Sequence, residues 1–293
     1  MTKRILLTGA TGFLGSHLLE ALLDRGFQVI ILKRSFSDVW RIRKYLDQVD
    51  SFDIDKASIE EPFKKYGKID VIIHTTAKYG RKGEKVSEVA EANLYFPLRL
   101  LATAAFFNTD TFFNTDTILY KYLNSYSLSK KQFVEWLKQF SDKIRVINLK
   151  LEHMYGPKDD DSKFVPFIVN RLLAGSEKIE LTKGEQKRDF IFVQDAVKAY
   201  LRVIDAHRAL TESFSEFEVG TGKPVRIRDL VIMIKKLIRN TQTELLFGAL
   251  PYRENEIMES QADISKLTAL GWKPKFSLEE GLKITIEWYR KNS

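Results

Sequence analysis

The chain of 293 residues contains no cysteine. Disulfides, thiol nucleophiles and thiolate zinc sites are therefore excluded. Its four histidines show no ligand-like spacing, so no metal centre is expected. No stretch approaches the roughly 20 consecutive apolar residues that a membrane helix requires. The first strand-like run begins at Arg4, which leaves no secretory signal segment to expect. These absences favour a cytoplasmic protein that neither spans nor binds a membrane. Long basic tracts, zinc-finger spacing and aromatic–basic RNA motifs are missing as well. The net charge of +8 comes from basic residues scattered among acids. Nucleic acid is not the expected partner, and a small anionic substrate accounts for the charge equally well.

What is present begins with Arg4–Gly15, Arg-Ile-Leu-Leu-Thr-Gly-Ala-Thr-Gly-Phe-Leu-Gly. Ile5, Leu6 and Leu7 form the short apolar run of a strand buried on both faces of a parallel sheet. Gly9, Gly12 and Gly15 follow, and Leu18, Leu19, Leu22 and Leu23 then recur at helical spacing. A strand, a glycine turn and a helix in that order suit a dinucleotide pyrophosphate. The glycines let the backbone approach the phosphates, and the helix N-terminus offers free N–H groups and a positive dipole end. The expected contacts are Gly9, Thr11, Gly12, Phe13, Leu14 and Gly15.

The first half then alternates strand and helix, as a parallel sheet with crossover helices demands. Strands are expected at Gln28–Leu32, Tyr45–Phe52, Ile69–His74, Thr111–Asn114 and Ile144–Leu149, with helices over Val86–Ala105 (interrupted at Pro97) and Tyr126–Phe140. The hexapeptide Phe-Phe-Asn-Thr-Asp-Thr occurs twice in tandem, at Phe106–Thr111 and Phe112–Thr117. The second copy is expected to form the fifth strand, because the helix after Asn93 needs about three turns and a loop first. Gly156–Asp161 is a polar break, and Arg188–Leu201 reads as a strand and helix returning to the first domain. The expected fold is α/β: a Rossmann-type doubly wound parallel sheet with a smaller mixed α/β domain. The dinucleotide-binding domain is expected at 1–150 plus about 188–215. The substrate domain takes 151–187 plus about 216–293.

Tyr126 and Lys130 stand four residues apart, on one face of a helix. A free tyrosine, with a pKa of about 10, is a poor acid–base at neutral pH. A neighbouring ammonium stabilises its phenolate and makes proton transfer practical. At the end of the second strand stand Lys33, Arg34 and Ser35, where an acid would select NAD. Two cations and a hydroxyl suit the 2′-phosphate of NADP(H), with NAD(H) the second option.

Together these motifs resemble the extended short-chain dehydrogenase/reductase family acting on nucleotide sugars. The resemblance is carried by Gly9–Gly15, Tyr126 with Lys130, Tyr155-Gly156-Pro157 and Arg188–Val193, and spans nearly the whole chain. A narrower likeness, to the family's CDP-4-keto-3,6-dideoxyglucose 4-reductases, rests on Leu151–Pro157, Gly184-Glu185-Gln186 and Glu254–Met258. The resemblance implies that Tyr126 gives the proton and that Lys130 holds the nicotinamide ribose and tunes Tyr126. Thr115 would steady the carbonyl oxygen, with Thr117 the alternative for that role. Asp53 and Ile54 would lie beside the adenine, and Thr76 and Ala77, after the fourth strand, along the cofactor. Arg188 and Arg253 would take the substrate's diphosphate, with ion pairs to Asp189 or Glu254 as their structural alternative. The family's dehydratases carry an Asp-Glu pair after this threonine. Here Thr117 follows Asp116, which leaves Asp116 to cap a turn and argues against dehydration. His74 is read as packing, and His153 is left open. The implied function is reduction of a nucleotide-linked 4-keto-deoxysugar for surface-polysaccharide precursors. A 4-epimerase or another ketosugar reductase is the alternative, and a non-catalytic NADP(H)-binding regulator the reading of another class. A homodimer through the helices near Val86–Ala105 and Tyr126–Phe140 is expected by analogy.

Overall fold

A computed structural model describes residues 3–292. It divides into two compact units, the first running through Leu151 and resuming at Tyr200–Phe217. The second comprises Glu152–Ala199 and the chain from Glu218 onward.

The first unit is built on β1 (Arg4–Thr8), β2 (Gln28–Lys33), β3 (Asp50–Asp53), β4 (Val71–His74), β5 (Thr111–Thr117) and β6 (Arg145–Leu151). The helices between them are α1 (Phe13–Asp24), α2 (Glu61–Tyr66), α3 (Val86–Ala90), α4 (Phe96–Phe106) and α5 (Ser125–Gln139). Strands β1 to β6 pair in parallel, in the order β6-β5-β4-β1-β2-β3. A seventh strand, Phe214–Val219, borders β6. The sheet is the doubly wound parallel architecture expected. Its apolar runs are buried because helices cover both faces. Leu6, Ile30, Ile72, Phe112 and Val146 enter one core with Leu100 and Leu101 of α4 and Phe133 and Leu137 of α5.

Several boundaries differ from the sequence reading. Tyr45 lies in a 3₁₀ turn, Arg43–Gln48, and the third strand is only Asp50–Asp53. Tyr45 is drawn out of the strand by its own turn, bonding back to Ile42 O at 2.8 Å. The 86–106 segment is three pieces, because a π-helical turn over Glu91–Tyr95 separates α3 from α4 and Pro97 restarts the helix at its first turn. The fifth strand runs on to Thr117, and the second hexapeptide copy forms it. Asp116 therefore does not cap a turn. It is a buried strand residue, paired to Lys131.

In the second unit, β7 (His153–Tyr155) pairs in parallel with a strand at Phe190–Phe192. That strand does not return to the first sheet near Arg188 as expected. The chain re-enters the first unit only at Tyr200, midway through the helix Val193–Ala206. Phe190 and Phe192 bury their rings against Tyr155 and Phe276, an aromatic cluster that satisfies them locally. Among the described residues, no helix is long and apolar enough to cross a membrane.

Candidate active site

The glycine turn closes tightly between β1 and α1. Gly9 has φ +73°, and Gly12 N donates to Gly9 O at 2.9 Å. A Cβ on Gly15 would stand 2.0 Å from Gly9 O, so only glycine lets α1 meet the turn. Gly12 caps α1 without a side-chain hydrogen bond, and the first turn holds no acid. The N–H groups at Phe13, Leu14 and Gly15 thus begin a 12-residue helix whose first turn carries no acidic residue. That arrangement fits a pyrophosphate. The loop after β4 abuts the turn. Thr75 Oγ1 donates to Thr8 O at 2.8 Å, and a Cβ on Gly9 would meet Thr76 N at 2.7 Å. Thr76 and Ala77 are thereby carried to the glycine turn.

The strand ends bring Lys33, Arg34, Asp53 and Ile54 to one rim. Ile54 N donates to Lys33 O at 3.0 Å. Arg34 is not an open phosphate clamp, because its Nε lies 2.5 Å from Asp55 Oδ1 and its guanidinium stands over Phe36. Ser35 donates its N–H to Asp55 and its hydroxyl to Asp53. The Ser35 hydroxyl holds the Asp53 carboxyl below the usual range. Arg41 stands over Trp40 and reaches Thr11 O at 3.4 Å. Sequence reasoning missed Asp55 and Arg41. Asp55 lies two residues beyond a named acid, and Arg41 follows the basic strand end in a stretch read only as a link.

The reacting pair sits on α5. Asn124 caps this helix, its Oδ1 accepting from Ser127 N at 2.9 Å, so Tyr126 and Lys130 stand one turn apart at its start. Both are buried. Burial pushes the Tyr126 phenol well above its ordinary value, and Tyr79 and Asp116 add to the rise. A hydrogen bond from the Thr117 hydroxyl and the positive charge of Arg81 act the other way. Burial drops Lys130 to about 8, against the pull of Asp116. A phenol so raised is protonated at neutral pH, the state a proton donor needs, and Lys130 stands one helical turn from it.

The Thr115 hydroxyl has a partner other than this phenol. It and that of Tyr200 are 2.6 Å apart, on the side of β5 where Phe113 meets His207. Thr117, the alternative, is the threonine bonded to Tyr126. His74 packs as expected, buried among Phe96, Phe112 and Phe133 with Nδ1 2.8 Å from Thr8 Oγ1. Asn93, which served in the sequence only as the start of a helix count, lies in the π turn. It accepts from Lys78 N, donates to Lys78 O and reaches Ser129 Oγ on α5.

In the second unit, Arg188 pairs with Glu256 at 2.5 Å, and neither Asp189 nor Glu254 is its partner. Asp189 is fully buried and accepts from the backbone of Thr221, Gly222 and Ala262, a structural anchor. Arg253 is exposed. Glu152, buried by its neighbours, holds His153 Nδ1 at 3.1 Å and accepts from Ser260 Oγ at 2.7 Å.

A model of the NAD dependent epimerase/dehydratase family matches residues 5–220. CDP-abequose synthase of Salmonella muenchen is 36% identical over 292 residues, covering 97% of each chain. The UDP-glucose 4-epimerase of Thermotoga maritima with UDP-glucose matches with a TM-score of 0.86 at 25% identity over 99% of both chains. The UDP-glucose 4-epimerase of Thermus thermophilus in complex with NAD matches with a TM-score of 0.82 at 23% identity, over 98% of this chain and 99% of that one. The chain belongs to the NAD dependent epimerase/dehydratase family.

Proposed function

We propose that the protein is a cytoplasmic NADPH-dependent reductase of a CDP-linked 4-keto-3,6-dideoxyhexose, feeding surface-polysaccharide synthesis. The observation that carries this reading is a buried Tyr126 one helical turn from a buried Lys130, in a chain 36% identical along its length to a CDP-abequose synthase. When bound, the nicotinamide supplies a hydride to the sugar's carbonyl carbon. Tyr126 donates its proton to the carbonyl oxygen, and Lys130 holds the nicotinamide ribose. Thr117, already bonded to the phenol, replaces Thr115 as the hydroxyl that steadies the carbonyl oxygen. Arg188 and Arg253 take the diphosphate. Lys33, Arg34 and Arg41 supply the charge for a 2′-phosphate. The protein acts as a homodimer through the helices near Val86–Ala105 and Tyr126–Phe140, which leave Tyr95 and Trp136 exposed.

Dehydration is disfavoured, because the single carboxylate of this strand, Asp116, is committed to Lys131 and Asn148. A 4-epimerase is the second reading, favoured by one observation. Asp53 and Asp55 crowd the rim where NAD would present a ribose hydroxyl. Mixing the protein with NADPH and CDP-4-keto-3,6-dideoxyglucose separates the two. The reductase consumes NADPH within minutes, seen as falling absorbance at 340 nm. Copurified NAD with no net consumption would instead establish the epimerase.

A further inference from the structure

We propose that Arg81, acting through the ring of Tyr79, is a positioning residue that holds Tyr126 and favours its anion. The inference rests on the reading of Tyr126 as the proton donor. The three side chains form a stack. The rings of Tyr79 and Tyr126 have centroids 4.8 Å apart and are tilted by 36°, and Arg81 Cζ stands 5.5 Å from the centroid of Tyr79. Tyr126 is buried beneath Tyr79, which is itself 41% exposed.

The stack is anchored at both ends of its inner side. Asn93 grips the backbone of Lys78, immediately before Tyr79, through both its N–H and its carbonyl, at 2.9 and 2.8 Å. The same amide nitrogen reaches Ser129 Oγ at 3.3 Å, on the helix that carries Tyr126. The loop and the helix are thus tied through one side chain, so the ring contact is fixed by structure on both sides.

Charge gives the stack its purpose. Asp116 of β5 is the negative group facing the phenol, and it disfavours the phenolate. Lys131 neutralises part of that charge, and Thr117 donates a hydrogen bond. His74, buried and uncharged, adds nothing. Lys130, one turn along α5, gives up its charge from about 8 upward. A guanidinium does not titrate in the working range. Arg81 supplies a cation to the outer face of the stack, and a guanidinium over an aromatic face is favourable in itself.

The test needs no substrate. Protein labelled with 3-fluorotyrosine, whose phenol is more acidic than tyrosine's, is titrated by fluorine NMR, with Tyr126→Phe identifying the resonance. Arg81→Gln is expected to raise the Tyr126 midpoint by about half a pH unit, roughly threefold in the ionisation constant. Arg81→Lys should recover most of it. Tyr79→Phe keeps the ring but removes a phenol that raises Tyr126, so it should lower the midpoint, and Tyr79→Leu should lie above Tyr79→Phe because the ring is lost as well. Arg81 is exposed, so its replacement leaves the fold intact. An unchanged midpoint in Arg81→Gln would overturn the proposal. A shift in Arg81→Gln with equal midpoints in Tyr79→Leu and Tyr79→Phe would overturn the ring as its route. Silence with CDP-ketosugar would count against the reductase alone, since this titration reads the phenol directly.

Discussion

Lys131 Nζ lies 2.7 Å from Asp116 Oδ2, joining α5 to the end of β5 inside the protein. The carboxylate is almost wholly shielded and the ammonium nearly so, with side-chain exposures of 1% and 19%. Asn148 adds a bond to the same oxygen and passes the chain of contacts to Glu216. The helix that bears Tyr126 is pinned to the sheet by this pair.

Removing one partner should therefore be costly. Lys131→Met leaves a buried carboxylate without its cation and is expected to cost about 3–5 kcal/mol in urea unfolding. Combining it with Asp116→Asn should return much of that loss. A single variant as stable as the parent would show that the pair does not hold the helix.

The two threonines of β5 should separate by function. Thr117→Val removes the bond to Tyr126 and is expected to lower kcat by about ten- to a hundredfold. Thr115→Val strands the buried Tyr200 hydroxyl, costing about 1–3 kcal/mol of stability with little change in kcat. Paired melting and turnover assays check this, and the opposite pattern would return the catalytic role to Thr115.

Lys130 should burden the fold that needs it. Burial lowers it from 10.5 to about 8, so below 8 the folded state carries a charge it disfavours. The cost is about 3 kcal/mol at about 1.4 kcal/mol per unit. Lys130→Met should thus be more stable than the parent at pH 7 and lose turnover. Between 8 and 10.5 the unfolded chain binds the extra proton, so the parent's stability rises with pH and the gap narrows. Denaturant midpoints across that window check the slope, and a gap independent of pH would contradict it.

Much of the fold was legible in the sequence because its signals are local. The run Ile5–Leu7, the turn at Gly9 and the helical leucines after it each depend on near neighbours only. The second hexapeptide copy was placed on β5 by counting helical turns. The hydroxyl partner of Thr115 was not legible, for a different reason. The threonine's strand position was right, but the partner that claims it, Tyr200, is 85 residues away. Asp116 likewise looked like a turn residue until Lys131 and Asn148 came to meet it. Arg188 found Glu256 instead of its neighbour Asp189 for the same reason, since side-chain partners across the chain leave no mark in spacing.

The cofactor rim carries a balance of charge that can be tipped. Arg34→Ala should weaken NADPH binding by about tenfold or more and NADH binding little. Asp55→Asn frees the Arg34 Nε and removes a negative charge, so NADPH should bind several-fold more tightly. Fluorescence titration of both cofactors reads the ratio. Equal losses for the two in Arg34→Ala would place the 2′-phosphate elsewhere.

Deuterium transfer tests the central claim most directly. With NADPH deuterated at the transferable position of C4, CDP-4-keto-3,6-dideoxyglucose should yield a CDP-sugar carrying one deuterium at its own C4. Tyr126→Phe should bind NADPH as the parent does and yield no labelled product. A labelled product from Tyr126→Phe at the parent's rate, or an unlabelled one from the parent, would contradict the account.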